Sequence, residues 1–168
     1  MVCLLLRHGI AVERDEWDGL EADRPLTEEG AKRVAQVAAG LSQLDVRSTH
    51  ILSSPLIRAI ETAKIVRRSL LVRSALQIVD ELLPDASPDR LLSILHDLPP
   101  ESCVVCVGHE PQLGIIASVL LSGRATASFP MKKAGACLIE LSIPVKPGRG
   151  ALRWWLTPSQ LRTMGKKI

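Results

Sequence analysis

Leu4-Leu5-Leu6-Arg7-His8-Gly9 is the stretch on which the fold of this chain turns. A short apolar run ends abruptly in an arginine, a histidine and a glycine. Such a run predicts a buried strand. The glycine predicts a release from the sheet and a backbone that can come close to a ligand. Arg7 and His8 are then set at the carboxyl end of a strand, where open α/β sheets bind ligands. Taken alone, the tripeptide is equally compatible with a solvated pair at a strand end, because short motifs recur by chance. The rest of the chain decides between the two.

The chain has 168 residues, which predicts one domain over 1–168 with a sizeable core. Hydrophobic residues make up 46%, yet there are three Trp, one Phe and no Tyr, so the core must be Leu, Val, Ile and Ala. A charged fraction of 23% is ordinary for a globular chain. The net charge of +3 is mild, and the basic pairs Arg67-Arg68, Lys132-Lys133 and Lys166-Lys167 read as solvated surface. With no basic tract and no aromatic platform, the expectation is no nucleic acid. The charge leaves a weak preference for acidic or phosphorylated partners.

Cys3, Cys103, Cys106 and Cys137 all sit in apolar segments. Cys103-Val-Val-Cys106 has the spelling of a redox or zinc motif, but residues three apart in a strand point to opposite faces. Buried free thiols are the expectation, which fits a reducing, cytoplasmic compartment. Residues 1–7 lack the features of a secretory leader, and no apolar run reaches transmembrane length, so no membrane is expected.

Along the chain, strand signals over 2–6, 49–53, 75–79, 103–107, 134–143 and 151–156 alternate with helix signals. Residues 10–25 form a polar loop long enough to be functional. Thr27 is a good N-cap, with Glu28 and Glu29 where the helix dipole favours them. Ala31, Val34, Ala38 and Leu41 mark that helix's apolar face. Ser54-Pro55 predicts a second helix start, which sets Arg58 in the first turn. Ser87-Pro88-Asp89 repeats the signal, and Pro99-Pro100 ends that helix. The span 103–107 is the most apolar strand and is expected at the centre of the sheet. After it, the helix 113–121 is apolar nearly all round and closes at Gly123. A short helix over 158–164 ends the chain. The alternation predicts a three-layer α/β/α sandwich around a mainly parallel sheet.

Three strand-to-helix junctions carry unusual polar residues: Arg7-His8-Gly9, Ser53-Ser54-Pro55 with Arg58, and Gly108-His109. In a parallel sheet all three share the carboxyl edge. Two arginines and two imidazoles would converge there on an anion, and the arginine fork suits phosphate. No Gly-rich phosphate loop followed by lysine is present. His50 and His96 are not at metal-ligand spacing from the other histidines and read as structural or solvated, so no metal and no cofactor are expected. A histidine among phosphate-binding arginines has a use as a nucleophile. The unperturbed imidazole pKa of about 6.5 leaves the neutral form available near neutral pH.

Arg7-His8-Gly9, Ser54-Pro55-x-x-Arg58-Ala59-x-x-Thr62-Ala63 and Gly108-His109 together resemble the histidine phosphatase superfamily, which includes phosphoglycerate mutases and acid phosphatases. Arg24-Pro25-Leu26-Thr27 with Gly30 also fits. The short length and the ending Trp154-x-Leu156-x-Pro158-x-x-Leu161 look most like the SixA-type phosphohistidine phosphatases. The resemblance covers nearly the whole chain. It implies a phosphoglycerate mutase-like fold without a cap domain. It implies His8 as nucleophile, Arg7, Arg58 and His109 as the phosphate pocket, and Arg24 as a further contributor. For the general acid it leaves Glu81, after the third strand, or Glu110, after the second histidine. Glu110 reads more readily as a cap on the helix begun by Pro111, and Glu81 reads as a solvated loop residue.

The implied activity is metal-independent hydrolysis through a phosphohistidine enzyme intermediate. A phosphohistidine-containing phosphotransfer protein is the expected substrate and partner, because residues 10–25 are the only sizeable wall expected around an open site. Protonated imidazole is also a good leaving group, so a weak acid would suffice. Hydrolysis of small phosphoesters and phosphate recognition without chemistry are the competing readings. Nothing in the sequence sets the oligomeric state.

Overall fold

Six strands, β1 (Val2–Arg7), β2 (His50–Ser53), β3 (Leu76–Ile78), β4 (Cys103–Gly108), β5 (Ala136–Glu140) and β6 (Ala151–Leu156), form one sheet in the order β3-β2-β4-β1-β5-β6. The computed structural model describes residues 1–44, 46–126 and 129–166; Lys167, of the last basic pair, lies outside them. The ladders β1/β4, β2/β4 and β2/β3 are parallel, whereas β5 runs antiparallel to both its neighbours. The mainly parallel sheet expected from the alternation is therefore present, with β4 central.

Among the described residues, five α-helices cover the sheet. α1 (Glu28–Ser42), α2 (Ile57–Ser69) and α5 (Pro158–Met164) pack on one face, and α3 (Pro88–Asp97) and α4 (Gln112–Ser122) on the other. The apolar runs of β1 and β4 serve both faces by alternation. Leu4, Leu6, Val105 and Val107 join the first cluster, and Cys3, Leu5, Val104 and Cys106 the second. Burial on both sides is why these strands read as continuous apolar runs. Each fully buried leucine contributes about 1.5–3 kcal/mol relative to leaving it exposed. The four cysteines are free, and Cys3 Sγ and Cys106 Sγ lie 4.0 Å apart. Between β3 and β4 the described chain holds a 3₁₀ turn (Asp80–Leu82) and α3, with no cap domain. Among the described residues, no helix is long and apolar enough to cross a membrane.

Register brings the strand ends level. Arg7 lies opposite Gly108 in the β1/β4 ladder, and Ser53 opposite Val107 in β2/β4. The residues that follow, His8, Ser54 and His109, therefore leave the sheet side by side.

Local chemistry explains where elements begin. Thr27 Oγ1 accepts from Gly30 N at 2.9 Å, which starts α1 as expected. α2 begins later than Ser54-Pro55 suggests. Leu56 is its N-cap, and Ser54 Oγ accepts from Leu56 N at 3.3 Å in the preceding turn. Arg58 nevertheless stays in the first turn of α2. β5 is shorter than the predicted 134–143. Ala134 has φ 60°, a left-handed bend that a non-glycine residue rarely adopts, and pairing starts only past it. Ala134 N donates to Arg7 O at 3.1 Å and to His8 O at 3.0 Å.

Candidate active site

His8 is held by its backbone and its ring together. His8 N donates to Gly108 O at 3.0 Å, which extends the β1/β4 ladder by one step. Nδ1 lies 2.7 Å from Gly9 O. A carbonyl can only accept, so Nδ1 carries the proton and Nε2 carries the lone pair. The ring is 6% exposed, and burial pushes its pKa down to about 3. The Gly9 hydrogen bond opposes that shift, while the charges of Arg58, Arg7 and Lys133 add to it.

Gly9 meets a packing demand at the end of β1. A Cβ there would lie 2.4 Å from Val34 Cγ2 on α1. Its N–H donates to Thr62 Oγ1 at 3.0 Å, and the Thr62 hydroxyl donates to Arg58 O at 2.7 Å. The β1 end and the first turn of α2 are thereby fastened together, which sets Arg58 relative to His8.

The second imidazole stands beside the first. The His8 and His109 rings have centroids 4.9 Å apart and planes tilted by 52°. His109 is 2% exposed, and its Nε2 lies 2.8 Å from Ser54 Oγ. Burial first, then the charges of His8, Arg58, Arg7 and Arg24, lower its pKa to about 3. Both rings are neutral near neutral pH. Among the described residues, His109 Nδ1, Arg7 Nε and Arg58 Nε are buried with no hydrogen-bond partner.

The arginines are positioned by acceptors around them. Arg7 Nη1 donates to Met131 O at 2.7 Å. Arg58 Nη1 donates to Glu21 O at 3.2 Å, and its Nη2 pairs with Glu21 Oε1 at 3.1 Å. Arg24 meets the same carboxylate through two parallel bonds, Nε to Oε2 at 3.1 Å and Nη2 to Oε1 at 2.8 Å. The hydrogen bond from Arg24, with the charges of Arg24, Arg58 and Arg14, holds the Glu21 carboxyl below the usual range. Burial lowers the Arg7 and Arg58 guanidinium pKa values, and the carboxylates of Glu110 and Glu21 respectively oppose it.

A cavity of about 200 Å³ gathers these groups. Arg7, His8, Arg24, Arg58 and His109, all singled out from the sequence, line it together. Glu110 lines it as well. Its Oε1 accepts from Met131 N at 3.0 Å. Burial raises its pKa, against the hydrogen bond from Met131 N and the charge of Arg7. Glu81 is not among the lining residues; it lies in the 3₁₀ turn after β3, where its carbonyl accepts from Gln112 Nε2 at 2.6 Å. Among the described residues, no group of three or more His, Cys, Asp and Glu side chains could hold a metal ion.

Three features lay outside the sequence reading. Glu21 was passed over, although Glu21-x-x-Arg24 is the spacing at which side chains meet across one helical turn. Lys133 belongs to a basic pair expected at the solvated surface, yet it lines the cavity and pairs with Glu13 at 3.6 Å. Ser54 was read as a helix cap, whereas its hydroxyl meets His109.

The sequence model of the histidine phosphatase superfamily, branch 1, matches residues 3–83. An uncharacterised protein of Picosynechococcus sp. PCC 7002 is 36% identical over 137 residues, covering 80% of this chain and 82% of that protein. Phosphohistidine phosphatase SixA of Escherichia coli K12 is 26% identical over 170 residues, covering 100% of both chains. A structure of the protein histidine phosphatase SixA complexed with tungstate superposes with a TM-score of 0.84 at 26% identity, covering 96% of this chain and 99% of that one.

Proposed function

The chain belongs to the histidine phosphatase superfamily, and from that premise we propose that it hydrolyses phosphohistidine on a phosphotransfer protein, through a covalent phosphohistidine at His8. The observation that carries this is the Nδ1–H of His8 donating to Gly9 O, which leaves the Nε2 lone pair for attack on a ring that is neutral down to about pH 3. The likeness to a SixA structure complexed with tungstate, a tetrahedral oxyanion like phosphate, supports the same reading.

The chemistry runs in two displacements. His8 Nε2 bonds to phosphorus as the P–N bond to the substrate's imidazole breaks. That imidazole keeps the bonding pair and leaves neutral, because its second ring nitrogen already carries a proton in the bound phosphohistidine. Water then attacks the phosphoryl group on His8, orthophosphate departs, and the lone pair returns to Nε2. Arg7, Arg58 and His109 hold the equatorial oxygens, with Arg24 beside them. Because the substrate leaves as imidazole, no strong acid is required. Of the two candidate carboxyls, Glu110 is the one that lines the cavity. The positive charge for the transition state is supplied by guanidinium groups, so the proposed steps pass through no metal.

The match over the full length of SixA supports one catalytic domain over 1–168 and a phosphohistidine-containing partner. Acid-labile labelling tests the mechanism. The wild type, quenched during turnover of a labelled phosphotransfer protein, should carry acid-labile phosphate, and His8→Ala should not. Equal labelling of both would remove His8 as the nucleophile, and faster turnover of sugar phosphates would remove the substrate assignment.

A further inference from the structure

Beside the catalytic cavity lies a larger one, of about 370 Å³. Its charged lining is Arg7, Arg33, Lys132, Lys133 and Arg162, over a floor of small and apolar residues that includes Ile10, Ala134 and Pro158. Among the described residues no carboxylate lines it. Arg7 and Lys133 line both cavities, so the two share a wall.

The five cations differ in how far they are satisfied. Arg33 Nε pairs with Glu29 Oε1 at 2.7 Å, outside the cavity lining. Lys133 pairs with Glu13 at 3.6 Å, on the catalytic side. Arg7 is turned to Met131 O. Lys132, which is exposed, and Arg162 take part in no ion pair among the described residues; Arg162 acts only as a minor charge on Glu29. Like charges gathered around a concavity repel one another and focus a positive field into it, which draws in an anion. The phosphoryl group already has its own cavity on the far side of Arg7.

We propose that this second cavity receives carboxylate side chains of the protein that presents the phosphohistidine, so that one docked partner fills both cavities. The inference rests on the phosphoprotein reading above and adds the chemistry of the docking surface: an acidic segment flanking the phosphorylated histidine. The rim supports a protein occupant, because Lys132 is exposed and the Arg33 side chain is 45% exposed, within reach of side chains on a surface laid across the opening. Rim charges of this kind act on encounter and on salt dependence more than on the chemical step.

The test is the double charge reversal Lys132→Glu/Arg162→Glu, at two residues outside the catalytic cavity. Steady-state kinetics are measured on a phosphohistidine-bearing phosphotransfer protein and on phosphoramidate, each across a salt series. The expected result is a fall of about tenfold in kcat/KM on the phosphoprotein at low salt, carried by KM, that shrinks as salt screens the surface. Phosphoramidate hydrolysis should stay at the wild-type rate, which also certifies that the variant is folded. Unchanged phosphoprotein kinetics, with both substrates turned over, would overturn the docking surface and leave the phosphohistidine reading standing. An equal loss on phosphoramidate would place these cations in the chemical site and overturn docking. Wild-type turnover of phosphoramidate without turnover of the phosphoprotein would overturn the substrate reading and this surface with it.

Discussion

Ser54 Oγ and His109 Nε2 lie 2.8 Å apart, and this contact sets which nitrogen of the second imidazole can meet a phosphate. Leu56 N donates to Ser54 Oγ, so the hydroxyl's own proton is free to go to Nε2. Where the hydroxyl donates to Nε2, the ring proton resides on Nδ1, the buried nitrogen with no partner, as a donor for a phosphoryl oxygen. Ser54→Ala should lower kcat/KM about tenfold, the scale for losing one group that orients a catalytic imidazole through a hydrogen bond. Ser54→Thr keeps the hydroxyl and should restore most of the loss. Identical losses in both variants would show that packing, not the hydrogen bond, is what Ser54 provides.

Arg58 is 5% exposed at the start of α2, and one edge of its guanidinium is already committed to Glu21. Arg58→Ala should slow turnover by about 10²–10³, the scale for losing one preorganised transition-state donor. Arg58→Lys should recover little, because a lysine cannot present the fork. The measurement is single-turnover hydrolysis; a near-wild-type rate would take Arg58 out of the chemistry.

Acidification should act on stability before it acts on the nucleophile. His8 and His109 have pKa values of about 3 when folded, below the value of about 6.5 for an exposed imidazole. Between those limits the unfolded chain binds protons that the folded one refuses. The stability these rings contribute is complete above about pH 6.5 and is lost as pH falls towards 3. The urea midpoint should therefore drop steadily through that window, and His8→Gln/His109→Gln should flatten the drop. A midpoint independent of pH in the wild type would contradict the burial of neutral rings.

Glu21 places a carboxylate on two guanidinium groups that a phosphate would also use. Glu21→Gln keeps a hydrogen-bond acceptor but removes the competing charge. Inhibition by orthophosphate should tighten several-fold in this variant, read as a lower inhibition constant. Weaker inhibition would mean that Glu21 mainly holds Arg24 and Arg58 in place.

Gly9→Ala would set a methyl group against Val34 on α1. Overpacking of this kind costs about 1–3 kcal/mol. Val34→Ala opens space at that spot, so the double variant should regain part of the stability lost by Gly9→Ala alone. The check is a double-mutant cycle by chemical denaturation, in which strict additivity would refute the contact.

Much of the architecture was legible because local and global signals agree. The apolar runs of β1 and β4, Thr27 as N-cap and Gly123, with φ 73°, as the close of α4 all say the same thing at both levels. Arg7, His8, Arg58 and His109 were legible because each sits at a strand end or in the helix turn that follows one, and a parallel sheet brings such ends to one edge. Lys133 was not, since it reaches the site through the bend before β5, which pairs antiparallel with β1 and breaks the alternation rule. The late start of α2 was hidden because Ser54 looks like a capping residue while its hydroxyl is shared between Leu56 and His109. The contact of Gly9 with Val34 was hidden too: the sequence marks a position without a side chain, but not which surface fills the space.

The bend at Ala134 also bears on when the protein becomes an enzyme. The carbonyls of Arg7 and His8 receive the N–H of Ala134, and the Arg7 guanidinium is anchored by Met131, 124 positions away. Contacts closed over such long loops form late and slowly. A nascent chain that exposes its Arg-His-Gly sequence early is thus still without a competent nucleophile. Catalytic power therefore belongs to the chain only once the segment that leads into β5 has docked.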